Sequence, residues 1–137
     1  MHVQRIRAQN FRAFGDGKTA PKLDWTLSPG LNILIGENDA GKTAVVDAIR
    51  HILWTTSYEF VRLFEQDFHI HGHARARARA QSMFIEATLV DMSADQEAAV
   101  LEWLTYEADG SRSLVLHLQA RWIPPNDNKR GRVDVVT

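Results

Sequence analysis

Residues 36–43 read Gly36-Glu37-Asn38-Asp39-Ala40-Gly41-Lys42-Thr43, the spacing G-x-x-x-x-G-K-[ST]. These residue types at this spacing suit the holding of a polyphosphate. Gly36 and Gly41 carry no Cβ, so the backbone can turn tightly and approach an anion closely. The N–H groups of residues 38 to 43 can converge on that anion, and a helix beginning here adds partial positive charge. Lys42 would reach the β- and γ-phosphates of a nucleotide and stabilise charge on the transferred group, which makes it the catalytic candidate. The Thr43 hydroxyl would ligate Mg²⁺, so ATP and Mg²⁺ are the implied ligands.

Such a loop works only between a strand and a helix. The run Leu31-Asn32-Ile33-Leu34-Ile35 has strand length, and after the loop Val45, Val46, Ile49, Ile52 and Leu53 recur at helical spacing. Upstream, Val3 and Ile6 mark a first strand, Gly15-Asp16-Gly17 a turn, and Leu23-Asp24-Trp25-Thr26-Leu27 an alternating, half-buried strand. Downstream, residues 58–64 suggest a short helix and residues 84–90 a strand. Ser93, with Gln96 three places on, caps a helix that turns Val100, Leu101 and Leu104 inward. A long strand over residues 114–122 ends at Pro124-Pro125, and residues 133–136 begin another. The pattern predicts an α/β fold.

The chain has 137 residues, enough for one small domain or part of a larger one, and 45% of them are hydrophobic. A net charge of −1 argues against a generally basic nucleic-acid binder. With no cysteine, neither a disulfide framework nor a cysteine zinc site can form. No stretch has the apolar length of a membrane span, and the N-terminus lacks an apolar signal core, so a soluble cytoplasmic protein is expected.

Asn10-Phe11-Arg12-Ala13-Phe14, the run at 31–35, the glycine loop with Asn38 in third place, and Asp47-Ala48-Ile49 together resemble the N-terminal part of ABC-type ATPase heads. The group is that of RecF, SMC and the overcoming-lysogenization-defect (OLD) proteins. Phe64-Glu65-Gln66-Asp67-Phe68 is similar to a stretch of OLD-like ATP-dependent nucleases. The resemblance implies the N-terminal lobe of a P-loop ATPase head with a mixed sheet, an incomplete fold within residues 1–137. It implies Arg12 and Ala13 beside the nucleotide, together with Gly36, Glu37, Asn38, Asp39, Ala40, Gly41, Lys42 and Thr43. It further implies a homodimer of heads acting on DNA, with no membrane. The acidic Mg²⁺-binding strand end, the signature segment and, in an OLD-like endonuclease, a TOPRIM domain would lie beyond this chain. Asp91, after Leu89-Val90, is the nearest substitute for the missing carboxylate, and Gln119 is the candidate Mg²⁺-sensing glutamine. The rival readings are a RecF- or SMC-like repair or chromosome-structural ATPase without nuclease activity, a nucleotide-binding module without turnover, and a small nucleotide kinase.

Every odd position from 69 to 79 is His or Arg: His69, His71, His73, Arg75, Arg77, Arg79. In an extended segment all six would share one face, a ridge able to neutralise DNA phosphates; a solvated connection is the plainer alternative. His69, His71 and His73 also have the chemistry of zinc ligands, although no carboxylate partner stands at a fixed spacing. Trp25, Trp54, Trp103 and Trp122 are expected to pack in the core.

Overall fold

The computed structural model describes residues 1–37, 41–54, 63–72 and 78–136. The strands are β1 (His2–Gln9), β2 (Leu23–Thr26), β3 (Ile70–His71), β4 (Ala78–Arg79), β5 (Ser82–Val90), β6 (Leu104–Tyr106), β7 (Arg112–Ile123) and β8 (Arg132–Val136). The helices are α1 (Lys42–Trp54) and the short α2 (Ala94–Ala99), with 3₁₀ turns at Glu65–Asp67 and Leu101–Trp103.

Six strands form one sheet in the order β2-β1-β5-β7-β6, with β8 also paired to β7, and β3 and β4 form a separate two-stranded ribbon. The architecture is α/β, and the sheet is antiparallel at every pair. A parallel component would need residues 31–35, which lie outside any ladder.

β5 alternates strictly, burying Met83, Ile85, Ala87 and Leu89 on one face. Register aligns these with neighbours of the same kind: Ile6 lies opposite Ala87 and Ala87 opposite Leu116, while Ala8 lies opposite Ile85 and Ile85 opposite Leu118. Onto that face α1 lays Ala44, Val45, Ala48 and Ile52, a stripe with helical period. Phe11 and Phe68, both buried, extend this core to the end of β1 that leads to the glycine loop. The opposite face carries charge: Arg5 pairs with Asp24 at 2.8 Å and Arg7 with Glu86 at 3.0 Å.

Several expectations need correction. Residues 31–35 form no strand, and Leu31, Ile33 and Ile35 are exposed, while Leu34 touches the core. Asn32 holds the turn before them, accepting from Ser28 N at 2.9 Å and donating to Ser28 O at 2.8 Å. Ser93 caps α2 in a reciprocal box with Gln96, as its spacing predicts, but the helix ends after six residues and leaves Leu101 exposed. Trp25 and Trp103 are exposed, whereas Trp122 packs against the core; the Trp54 side chain lies outside the described part. Of the helix expected over residues 58–64, only Leu63 and Phe64 are described, and neither is helical.

Candidate nucleotide site

The site forms where three segments meet. β1 ends at Gln9, and the chain then passes through Asn10 (φ 55°) and Arg12 (φ 48°), both in the left-handed region that non-glycine residues avoid. Gly41 (φ 90°) stands immediately before α1, and Val45 N donates to Gly41 O at 3.0 Å to close the first turn. Glu37, at the end of the run before the loop, supplies the third side, while the turn before Phe68 backs Arg12 from outside the pocket.

A concave pocket of about 380 Å³ opens between them, lined by Arg12, Ala13, Glu37, Gly41, Lys42, Thr43 and Ala44. The positive φ favours glycine at Gly41, and a Cβ there would also crowd Phe14 Cζ at 3.2 Å. The first amides of α1 have no partner within the helix, and its first turn holds no acidic residue, so an anion is the natural complement of this end. Lys42 donates from Nζ to Gly36 O and, at 2.7 Å, to Glu37 O. The ammonium thus lies against its own loop, satisfied by the carbonyls of Gly36 and Glu37 at the pocket wall.

Arg12 is held by two carboxylates. Its Nε donates to Asp67 Oδ1 at 2.8 Å and its Nη1 donates to Asp47 Oδ2. Asp67 is buried, with 2% of its side chain exposed. Its second oxygen accepts from Phe64 N at 2.9 Å, and its carbonyl accepts from Arg12 N at 2.8 Å. Burial works against charge on the Arg12 guanidinium, but the hydrogen bonds to Asp67 and Asp47 outweigh it and raise its pKa above the ordinary arginine value. His69 Nδ1 lies 2.7 Å from Arg12 O; a carbonyl only accepts, so that nitrogen carries the proton. His51, on α1, meets Phe11 edge to face at 6.0 Å, and its Nδ1 has no hydrogen-bond partner among the described residues. Burial lowers its pKa, with Arg12 and Arg50 acting in the same direction and Asp67 and Asp47 opposing.

A family model described as an AAA domain, AAA_23, matches residues 5–114, from β1 through the pocket and into β7. The chain belongs to this AAA family. Among curated relatives, the AAA chain is 40% identical over 55 residues to the DNA double-strand break repair Rad50 ATPase of Thermoplasma volcanium, across 40% of this chain and 6% of that protein. It is 34% identical over 62 residues to the DNA replication and repair protein RecF of Halalkalibacterium halodurans, across 45% and 15%. With RecF of Desulfitobacterium hafniense it shares 32% identity over 78 residues, across 53% and 20%. The AAA chain therefore spans a fifth or less of the length of these relatives. A solved structure from work on ATP-driven dimerization and DNA-stimulated activation of SMC ATPases superposes with a TM-score of 0.56 at 16% identity, covering 98% of this chain and 69% of that one. That likeness concerns the fold, which is that of the N-terminal lobe of an ABC-type ATPase head.

Of the site residues expected from sequence, Arg12, Ala13, Glu37, Gly41, Lys42 and Thr43 surround one pocket of the AAA domain, and Gly36 joins them through its carbonyl. Asn38, Asp39 and Ala40 lie outside the described residues. Ala44 lines the pocket without having been anticipated, because its methyl carries no chemistry a motif could register. Asp47 and Asp67 were visible as letters of the family resemblance, but nothing in their spacing signals that both turn to Arg12.

Asp91 is in the wrong place for catalysis. Val90 lies opposite His2, whereas Phe84 lies opposite Gln9, so Asp91 sits at the far end of β5, roughly 20 Å from the pocket at strand rise. There it pairs with His2 Nδ1 at 3.2 Å. Gln119 is exposed on β7, in a groove with Gln9, Asn10 and Ser82 rather than in the pocket at the start of α1.

The basic ridge is only partly described, since His73, Arg75 and Arg77 lie outside the described residues. The His69 and His71 rings meet at 4.7 Å, but His69 turns to Arg12. Arg79 pairs with Glu65 at 3.3 Å and donates to Glu65 O at 2.7 Å. Those two side chains fasten the ribbon to the site wall. No cluster of three or more His, Asp or Glu suited to a metal occurs among the described residues. Nor is any described helix long and apolar enough to cross a membrane.

Proposed function

We propose that this chain is the nucleotide-binding lobe of an ATPase head of the RecF, Rad50 and SMC type. In this reading it binds ATP with Mg²⁺, and the complete protein hydrolyses ATP in step with DNA repair or chromosome organisation, through pairing of two heads. The observation that carries the reading is the convergence of Gly41, Lys42, Thr43 and Arg12 on one pocket at the start of α1. Lys42 would leave the carbonyls of Gly36 and Glu37 for the β- and γ-phosphates, and the α1 amides would take the remaining oxygens. The Thr43 hydroxyl is a hard oxygen donor at the pocket wall and suits Mg²⁺, an ion that takes most of its ligands from phosphates and water. Bound Mg²⁺ would neutralise charge on the reacting phosphates.

The acidic strand end and the signature segment would come from the rest of the protein, and from its partner head. An OLD-like nuclease is the second reading. It rests on residues 64–68, whereas identity to RecF and Rad50 favours a repair ATPase.

Titration calorimetry with MgATP tests the core of this reading. Lys42→Ala, which removes a charge whose side-chain partners are the carbonyls of Gly36 and Glu37, should weaken binding by about 10- to 100-fold, the worth of a charge-assisted contact. Equal affinity in wild type and variant would overturn the assignment.

A further inference from the structure

The Arg12 guanidinium sits at the pocket wall, yet both carboxylates that hold it stand outside the pocket lining. Its Nε and Nη1 are committed to Asp67 and Asp47, while Nη2 makes no hydrogen bond among the described residues. Arginine is a planar fork, so fixing two of its nitrogens fixes the direction of the third. The backbone is constrained as well: Arg12 N donates to Asp67 O, and Arg12 O accepts from His69 at a residue in the left-handed region. Asp67 is itself immobilised by burial and by the amide of Phe64.

Building on the nucleotide reading above, we propose that Asp67, assisted by Asp47, is a positioning residue that aims Arg12 at a bound nucleotide phosphate without touching the nucleotide. A free arginine side chain must surrender its rotamer freedom when it grips a phosphate. Here that ordering is complete before the ligand arrives, and the two acids that achieve it come from separate segments, α1 and the turn before Phe68. The site wall thereby tightens phosphate binding although its carboxylates are negatively charged and repel a polyanion.

That opposition of signs makes the role testable. Deleting a negative charge near the pocket should by itself strengthen MgATP binding, whereas loss of positioning should weaken it. Calorimetry on the purified protein should find Asp67→Asn about tenfold weaker for MgATP. In an Arg12→Gln background the same substitution should cause no further weakening, because there is no longer a guanidinium to aim. Unchanged or tighter binding of Asp67→Asn in the wild-type background would overturn the proposal, as would equal weakening in both backgrounds. Asp67 also caps Phe64, so Asp47→Asn serves as a second variant should Asp67→Asn fail to fold; it too should weaken binding only when Arg12 is present. Lys42→Ala, measured alongside, separates the two levels of inference. Binding that ignored Lys42 would sink the nucleotide reading and this proposal with it, whereas Lys42-dependent binding indifferent to both acids would sink this proposal alone.

Discussion

β5 and residues 31–35 both carry apolar side chains over a strand's length, yet Ile85 is fully buried while Leu31, Ile33 and Ile35 are 84%, 70% and 91% exposed. The difference lies in their neighbours. β5 has β1 on one side, β7 on the other and α1 across its apolar face. Residues 31–35 have a single inward contact through Leu34 and no ladder partner among the described residues. Propensity for extended structure is therefore realised only where a pleated surface can be completed by other segments. The pocket stands at the border of the two regions, with its α1 wall set on the packed sheet and its Glu37 wall on the unpaired run.

If this contrast is right, the largest effect should come from the packed side. Leu118→Ala removes a fully buried side chain opposite Ile85 and should lower unfolding free energy by about 2–5 kcal/mol in urea titrations. A loss below about 1 kcal/mol would mean that the sheet is no tighter than the exposed run.

A smaller effect is expected at the border, from His51. Its folded pKa is depressed, so below the unfolded value of about 6.5 the unfolded chain takes up a proton that the folded chain resists. This contribution to stability is fully present above pH 6.5 and declines as the pH falls toward the folded pKa. Urea midpoints should therefore drop between pH 7.5 and 5.5 and do so less in His51→Leu; identical pH profiles would remove His51 from the packed side.

The smallest effect belongs to the unpaired run. Ile33→Thr should change stability by no more than about 0.5 kcal/mol, the usual range for exposed positions. A loss approaching that of Leu118→Ala would erase the distinction.

What the sequence revealed follows the same division. The alternation in β5, the existence of α1 and the Ser93–Gln96 capping box were legible because each is a local pattern. The buried stripe of α1 was only partly so: Val45 and Ile52 are buried, Val46 and Leu53 are exposed, and Ala44 and Ala48 take their place. The exposure of Trp25, Trp103 and Leu101 was not, because an apolar side chain on a strand or turn does not announce whether anything covers it. In the candidate site, the glycine loop could be read from eight letters. The grip on Arg12 could not, since Asp47 and Asp67 stand 35 and 55 residues away and meet it only through the fold.

The strand order also bears on how the molecule comes into being. β1 is made well before its partner β5, which lies opposite it through pairs such as Ile6 with Ala87, and β7 must follow to complete the sheet. Until that second half is synthesised, α1 can meet β1 but lacks β5 and β7, the other strands against which Val45, Ala48 and Ile52 are buried. α1 is therefore translated well before β5 and β7 can pack against it, and closing so wide a span of chain is entropically slow. Under the nucleotide-binding reading proposed above, a pocket fit for ATP would form only once β7 has joined the sheet, and until then part of the apolar side of α1 would stay uncovered.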